Sequence, residues 1–233
     1  MGTSGSFIED MALATGVSRS ALAAYMRDLR GNGLIQKAGR GLAAARIEIP
    51  DCVSLLTALL VTSKPPGCSE IVKDAFKAPL QSAHTFFADR RGFEQEQQSM
   101  EELIKQFSPL DGSKPETFKD ALMDMLAAET IDVARMRQWI APVRGPRWQI
   151  LCSYPSQIFV FNVKLSKYAV RRHVYAKHPL NAEPDTTLVE WEFLAGSGLV
   201  GVRAIDDRII RAAMDSVRRD ALQRLGLTGR KGR

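Results

Sequence analysis

The feature that most constrains this chain is a pair of helix-forming stretches held only three residues apart. Phe7 to Thr15 and Arg19 to Arg30 flank Gly16-Val17-Ser18. Two helices so joined must cross at a steep angle, and each residue of the connection has a task. Gly16 supplies a backbone that tolerates positive φ where the first helix ends. Ala12 is small where a larger side chain would push the helices apart, and Val17 is an apolar plug in the turn. Ser18 is a good N-cap, because its hydroxyl can accept a hydrogen bond from a free N–H of the next helical turn. Leu22, Tyr25, Met26 and Leu29 recur at three- and four-residue spacing and give one buried face. Arg19, Ser20, Ala24 and Arg27 are left to face outward.

The residues that follow extend the pattern. Gly31-Asn32-Gly33 ends the second helix, Leu34 to Lys37 reads as a short strand, and Ala38-Gly39-Arg40-Gly41 reads as a turn. Ala45 to Ile49 reads as a second strand before Pro50. This order of helix, turn, helix and hairpin resembles the winged helix-turn-helix families of bacterial regulators and of their phages and plasmids. The match rests on Ala12, Gly16, Val17, Leu22 and Tyr25, then on the Gly-Arg-Gly turn. The resemblance implies that the second helix enters the major groove of DNA. It places Ser18, Arg19, Ser20, Ala24 and Arg27 at groove-facing positions and Lys37 and Arg40 on the wing. Arg19 and Arg27 could then read guanine or contact phosphate. The bland alternative is an αα-hairpin and a solvated hairpin with ordinary surface charge.

One departure stands out. Such domains carry a helix before the helix-turn-helix pair, and Met1 to Ser6 are too small and flexible to supply it. Either the start is cut short, the run resembling an expression scar, or another segment covers the core. Asp51 to Val61, rich in Leu and Val, is the candidate cover.

Charge is uneven along the chain. The whole carries +6, made of +1 over residues 1–63, −2 over 64–145 and +7 over 146–233. The basic excess lies away from the first helices and fits an anionic partner for the C-terminal part as well. No apolar run approaches the length of a membrane span, and no basic-then-apolar leader is legible. Three widely spaced cysteines, Cys52, Cys68 and Cys152, suit reduced thiols in a cytoplasm better than a disulfide framework.

The expected fold class is α+β. Residues 7–62 form the winged helix-turn-helix, and Ser63 to Gly67, with its paired prolines, reads as a break. Residues 69–145 read as mainly helical, with helices expected at Ser69–Phe76, Phe93–Phe107, from Ser113, and at Ile131–Ile140. In the third, the stripe Phe118, Leu122, Met125 and Leu126 reads as core, with a homodimer seam as the alternative. Residues 146–226 read as a small antiparallel sheet with a terminal helix, and residues 227–233 as a basic tail.

Alternation marks the strands. Trp148, Ile150 and Cys152 share a side of one. Ile158 to Leu165 is apolar on both faces and reads as a central strand. Tyr168 to Lys177 places Val170 and Val174 on one side and Arg171, His173, Tyr175 and Lys177 on the other, and Thr187 to Leu194 alternates likewise. Asp206 to Leu225 is expected as an amphipathic helix with Arg208, Arg211, Arg218 and Arg219 on its outer face.

Two basic groups offer a secondary nucleic-acid contact: Arg171, Tyr175 and Lys177 on the sheet, with the tyrosine as a stacking surface, and the arginine ridge of the last helix. Their ordinary alternative is a solvated face paired with Glu190 and Glu192. Those two carboxylates with Asp206 and Asp207 could hold Mg²⁺ for phosphodiester cleavage, but no nuclease motif accompanies them. His84, His173 and His178 are too scattered for a zinc site, and Gly196, Gly198 and Gly201 lack a phosphate-loop context.

The expectation is a cytoplasmic, non-enzymatic protein with no cofactor or metal, binding double-stranded DNA in transcriptional control. A component of replication, partition or packaging is one rival. A protein-interaction module or metal-dependent nuclease carrying a winged fold is the other.

Overall fold

A computed structural model describes residues 4–36, 47–87, 116–131, 148–154, 158–164, 169–178, 201–206, 209–215 and 217. It has mixed α+β architecture. Four helices come first: α1 (Ser4–Thr15), α2 (Arg19–Gly31), α3 (Ile49–Val61) and α4 (Cys68–Ala75). Strand β1 (Leu80–Phe87) and helix α5 (Phe118–Ile131) follow, then β2 (Trp148–Tyr154), β3 (Ile158–Lys164), β4 (Ala169–Ala176) and β5 (Gly201–Asp206). Residues 209–215 are helical.

The five strands form one antiparallel sheet in the order β1-β4-β3-β2-β5. β3 sits at the centre, as its two-sided apolar sequence requires: Phe159, Val160 and Phe161 are all buried. One sheet face carries Ile150, Cys152, Phe159, Phe161, Tyr175 and Ile205 into the main core. On it the Phe118 ring of α5 stacks against Phe159, with centroids 4.0 Å apart. The opposite face carries the smaller cluster Leu151, Val160 and Val174.

α3 is the hub. Almost every side chain from Asp51 to Val61 is buried, the polar Asp51, Ser54 and Thr57 among them, as suits a helix enclosed by the rest of the chain. It packs against α2, α4, α5, β2 and β5, and its buried side chains share the main core with Phe7 and Met11 of α1. Pro50 in its first turn needs no N–H bond there, and the Asp51 carboxylate accepts from Glu48 N–H at 2.9 Å. The segments 7–62, 69–145 and 146–226 all contribute to the main core cluster.

Several boundaries differ from the sequence reading. α1 begins at Ser4, ahead of Phe7. Leu34 and Ile35 form a bend, and Gln36 is irregular rather than a strand. The backbone donors there are satisfied locally: Leu34 N–H by Leu29 O at 2.9 Å and Gln36 N–H by Asp51 Oδ1 at 3.0 Å. Ile49 opens a helix instead of ending a strand. β1 falls in the stretch read as mainly helical, and its partner β4 lies about ninety residues away. α5 starts at Phe118, later than Ser113, because Thr117 bridges Pro79 instead. Asp206 belongs to β5, paired with Gln149, not to a helix. The expected elements Phe93–Phe107, 132–140 and Thr187–Leu194 lie outside the described residues.

Candidate nucleic-acid interface

The connection between α1 and α2 is built as its residues demand. Gly16 adopts φ 71° and donates its N–H to Ala12 O at 3.0 Å, closing the first helix. Thr15 Oγ1 donates to Met11 O at 2.6 Å and accepts from Val17 N–H at 3.2 Å, so the turn is bonded at each step. Ser18 is extended, with φ −61° and ψ 146°, and its hydroxyl accepts from Ala21 N–H at 3.3 Å. At the other end Asn32 caps α2, and Gly33, at φ 75°, lets the chain turn back.

α2 buries Leu22, Tyr25, Met26 and Leu29. Ser18, Arg19, Ser20 and Arg27 are exposed and Ala24 is half-buried, so those five sequence-selected residues line the outer side of α2 and its cap. Ser18 Oγ and Ser20 Oγ share a hydrogen bond at 3.1 Å. Arg19 Nη1 meets Glu9 Oε1 of α1 at 3.2 Å. Lys37 and Arg40 lie outside the described residues.

Two contacts anchor α2 to its neighbours, and neither was anticipated. Tyr25 Oη donates to Thr62 O at 2.8 Å, tying α2 to the end of α3. Asp28, from the inner edge of α2, takes the N-terminus of α4: its carboxylate accepts from Ser69 N–H at 2.9 Å, from Gly67 N–H at 3.3 Å and from the Cys68 thiol at 3.3 Å. Burial raises the Asp28 pKa, but the bonds from Ser69, Cys68 and Gly67 outweigh it and leave the carboxyl below its ordinary value. The same contact acts on Cys68, whose thiol is pushed up to about 12, first by burial and then by the Asp28 carboxylate. Cys52 is raised as well, by burial and then by Asp51. Nothing in the α2 sequence could reveal the Asp28 contact, since its partners stand about forty residues on.

Asp51 is the second missed residue. Its two carboxylate oxygens hold Gln36 N–H and Glu48 N–H, and Gln36 Nε2 donates to Glu48 Oε2 at 3.1 Å. Ser54 Oγ adds a bond to Leu34 O at 2.8 Å. These bonds bring Gln36 and Glu48 together at one base, on α3. The sequence did carry a signal for half of it: Asp51 three residues after Glu48, with Pro50 between, is a helix-start pattern.

The secondary sites fare differently. Tyr175 offers no stacking surface, because it is wholly buried, with its ring edge-on to Phe118 and Phe161. The alternation in β4 is real, but Tyr175 faces the main core, where α5 supplies Phe118, while Val174 joins the smaller cluster on the opposite face. Lys177 is exposed and paired with Asp74 of α4 at 2.6 Å. Arg171 holds a register position in β4 opposite Val163 and Thr85. Arg211 is exposed within residues 209–215, whereas Arg208, Arg218 and Arg219 lie outside the described residues, as do Glu190, Glu192 and Asp207. Among the described residues no group of three His, Cys, Asp or Glu could hold a metal ion, and no helix is long and apolar enough to cross a membrane.

The balance of charge over α1 and α2 is even: Arg19, Arg27 and Arg30 against Glu9, Asp10 and Asp28. With Asp28 turned toward α4, the outward line of α2 is polar and cationic, bordered by Glu9. No family model matches this chain, and no curated protein or solved structure does either.

Proposed function

We propose that the chain is a sequence-specific double-stranded DNA-binding regulator that works as a winged helix-turn-helix. The observation that carries this reading is α2 itself, a capped helix held on its inner side by Tyr25 and Asp28 with an outer line of small polar and cationic side chains. Ser20, Ala24 and Arg27 stand at i, i+4 and i+7 and span about 10 Å of helix axis, or roughly three base-pair steps. The small Ser20 and Ala24 let the helix approach the floor of the major groove, while Arg19 and Arg27 supply bidentate donors for guanine. Ser18 and the free amides of the first turn bind phosphate. Lys37 and Arg40 contact the DNA backbone as wing residues, in the sequence between Gln36 and Glu48, whose amides Asp51 holds.

Selection of bound duplexes from a random pool tests this. An enriched motif is expected, with Arg27→Ala and Arg19→Ala each relaxing one position at a cost of about 1–3 kcal/mol. Arg40→Ala weakens binding to all sequences alike. No enriched motif, with affinity that only fades as salt rises, refutes the reading. The +7 charge of residues 146–233 favours a second reading, a component of replication, partition or packaging with a second DNA contact. Adjacent repeated sites away from promoters distinguish it. The symmetry of the motif reports whether a homodimer binds.

A further inference from the structure

We infer that Glu9 is a specificity-determining positioning residue, which aims Arg19 and makes the DNA surface discriminate against mere phosphate contact. The inference rests on the DNA-binding reading and adds to it a residue of α1.

The Glu9 carboxylate reaches across the turn to Arg19 Nη1 at 3.2 Å, although both side chains remain more than half exposed, at 58% and 69%. A guanidinium has five N–H donors in a fixed planar fork. Glu9 occupies one nitrogen, so the fork is oriented while its other donors stay open to a partner. Arg19 is the first residue of α2, directly after the Ser18 cap, where a long side chain otherwise samples many rotamers. Fixing it in the free protein removes part of the ordering cost of a bidentate base contact.

The second effect is electrostatic. Arg19 alone is attracted to every phosphate on the duplex. A carboxylate beside it repels phosphate, so an arrangement in which Arg19 meets only the backbone gains little. Contact with guanine O6 and N7 puts the guanidinium among neutral acceptors and keeps Glu9 as its counter-charge. The even charge of the α1–α2 pair fits this logic: affinity there comes from aimed hydrogen bonds more than from net positive field.

The test is Glu9→Gln in the full chain, with Arg19→Ala and the double variant, measured against the selected motif and a scrambled duplex over a range of salt. Glu9→Gln should raise affinity for the scrambled duplex about fivefold, the factor for one unit-charge interaction at contact distance in water. It should steepen the salt slope by about one phosphate contact. The ratio of motif to scrambled affinity should fall about tenfold, with the loss confined to the base position that Arg19→Ala relaxes. The double variant should match Arg19→Ala in the preference at that position, because Glu9 acts on it through Arg19. A motif ratio unchanged in Glu9→Gln, while Arg19→Ala alters it, overturns the inference and leaves the DNA-binding reading standing. Absence of any motif for the wild-type chain overturns both. Thermal melts that coincide for all four proteins show that the changes are not unfolding.

Discussion

Replacing Asp28 by alanine should loosen α2 from α4 and lower the stability of the whole chain by on the order of 2 kcal/mol. The figure comes from the contacts. Loss of a side chain that caps a helix N-terminus costs about 1 kcal/mol. A charge removed from that end of the helix costs about 0.5–1 kcal/mol more. The amides of Ser69 and Gly67, now bonded at 2.9 and 3.3 Å, would lose their carboxylate acceptor. For a chain of this size each kcal/mol moves the melting temperature by about 2–4 °C, so a fall of about 4–8 °C is expected by calorimetry at neutral pH. Asp28→Asn keeps one acceptor oxygen and should lose about half as much.

The same contact carries a pH signature. The Asp28 pKa is lower in the folded chain than its ordinary value of 3.8. Its contribution is therefore fully present above the unfolded-state pKa and is lost as pH falls through the lower folded value. The gap between wild type and Asp28→Asn should narrow below about pH 4 and hold steady above pH 5. A melt of Asp28→Ala within about 1 °C of wild type, against the shift expected for a lost cap, or a gap that stays constant into acid, refutes the reasoning.

Phe118→Ala should cost about 3–5 kcal/mol by denaturant titration, since it removes a wholly buried ring stacked on Phe159. Asp51→Ala should cost about 3 kcal/mol, because two backbone donors lose a charged acceptor at once; hydrogen exchange should quicken first at Gln36 and Glu48, the amides it now holds. All three thiols are buried. Cys68, with its pKa near 12, and Cys52, raised by burial, should resist alkylation at pH 8 until the chain is denatured. Rapid labelling of the native protein at either residue would contradict the packing around α3 and α4.

Local chemistry wrote much of this protein into its sequence. The turn at Gly16 to Ser18 follows from a positive φ, a hydroxyl cap and apolar spacing, all within thirty residues. The shared faces of α2 and of the Phe118 stripe follow from periodicity, because a 3.6-residue repeat fixes which side chains share a face, and the central place of β3 follows from a run that is apolar on both faces. Periodicity cannot say what that face meets. Tyr175 alternates as an exposed strand residue would, and only the arrival of α5 makes its side of the sheet the interior. β1 has no strong alternation and becomes a strand because β4 offers an edge to pair with. No sequence pattern ties Asp28 to the amides of Gly67 and Ser69, or Asp51 to that of Gln36, since these partners meet only in the folded chain. Short-range rules settled the turn after α1 and the apolar faces of α2 and α5; the long-range closure of the chain made β1 a strand, turned Tyr175 inward and decided which polar groups became anchors, because a hydrogen bond between residues forty positions apart leaves no local pattern to read.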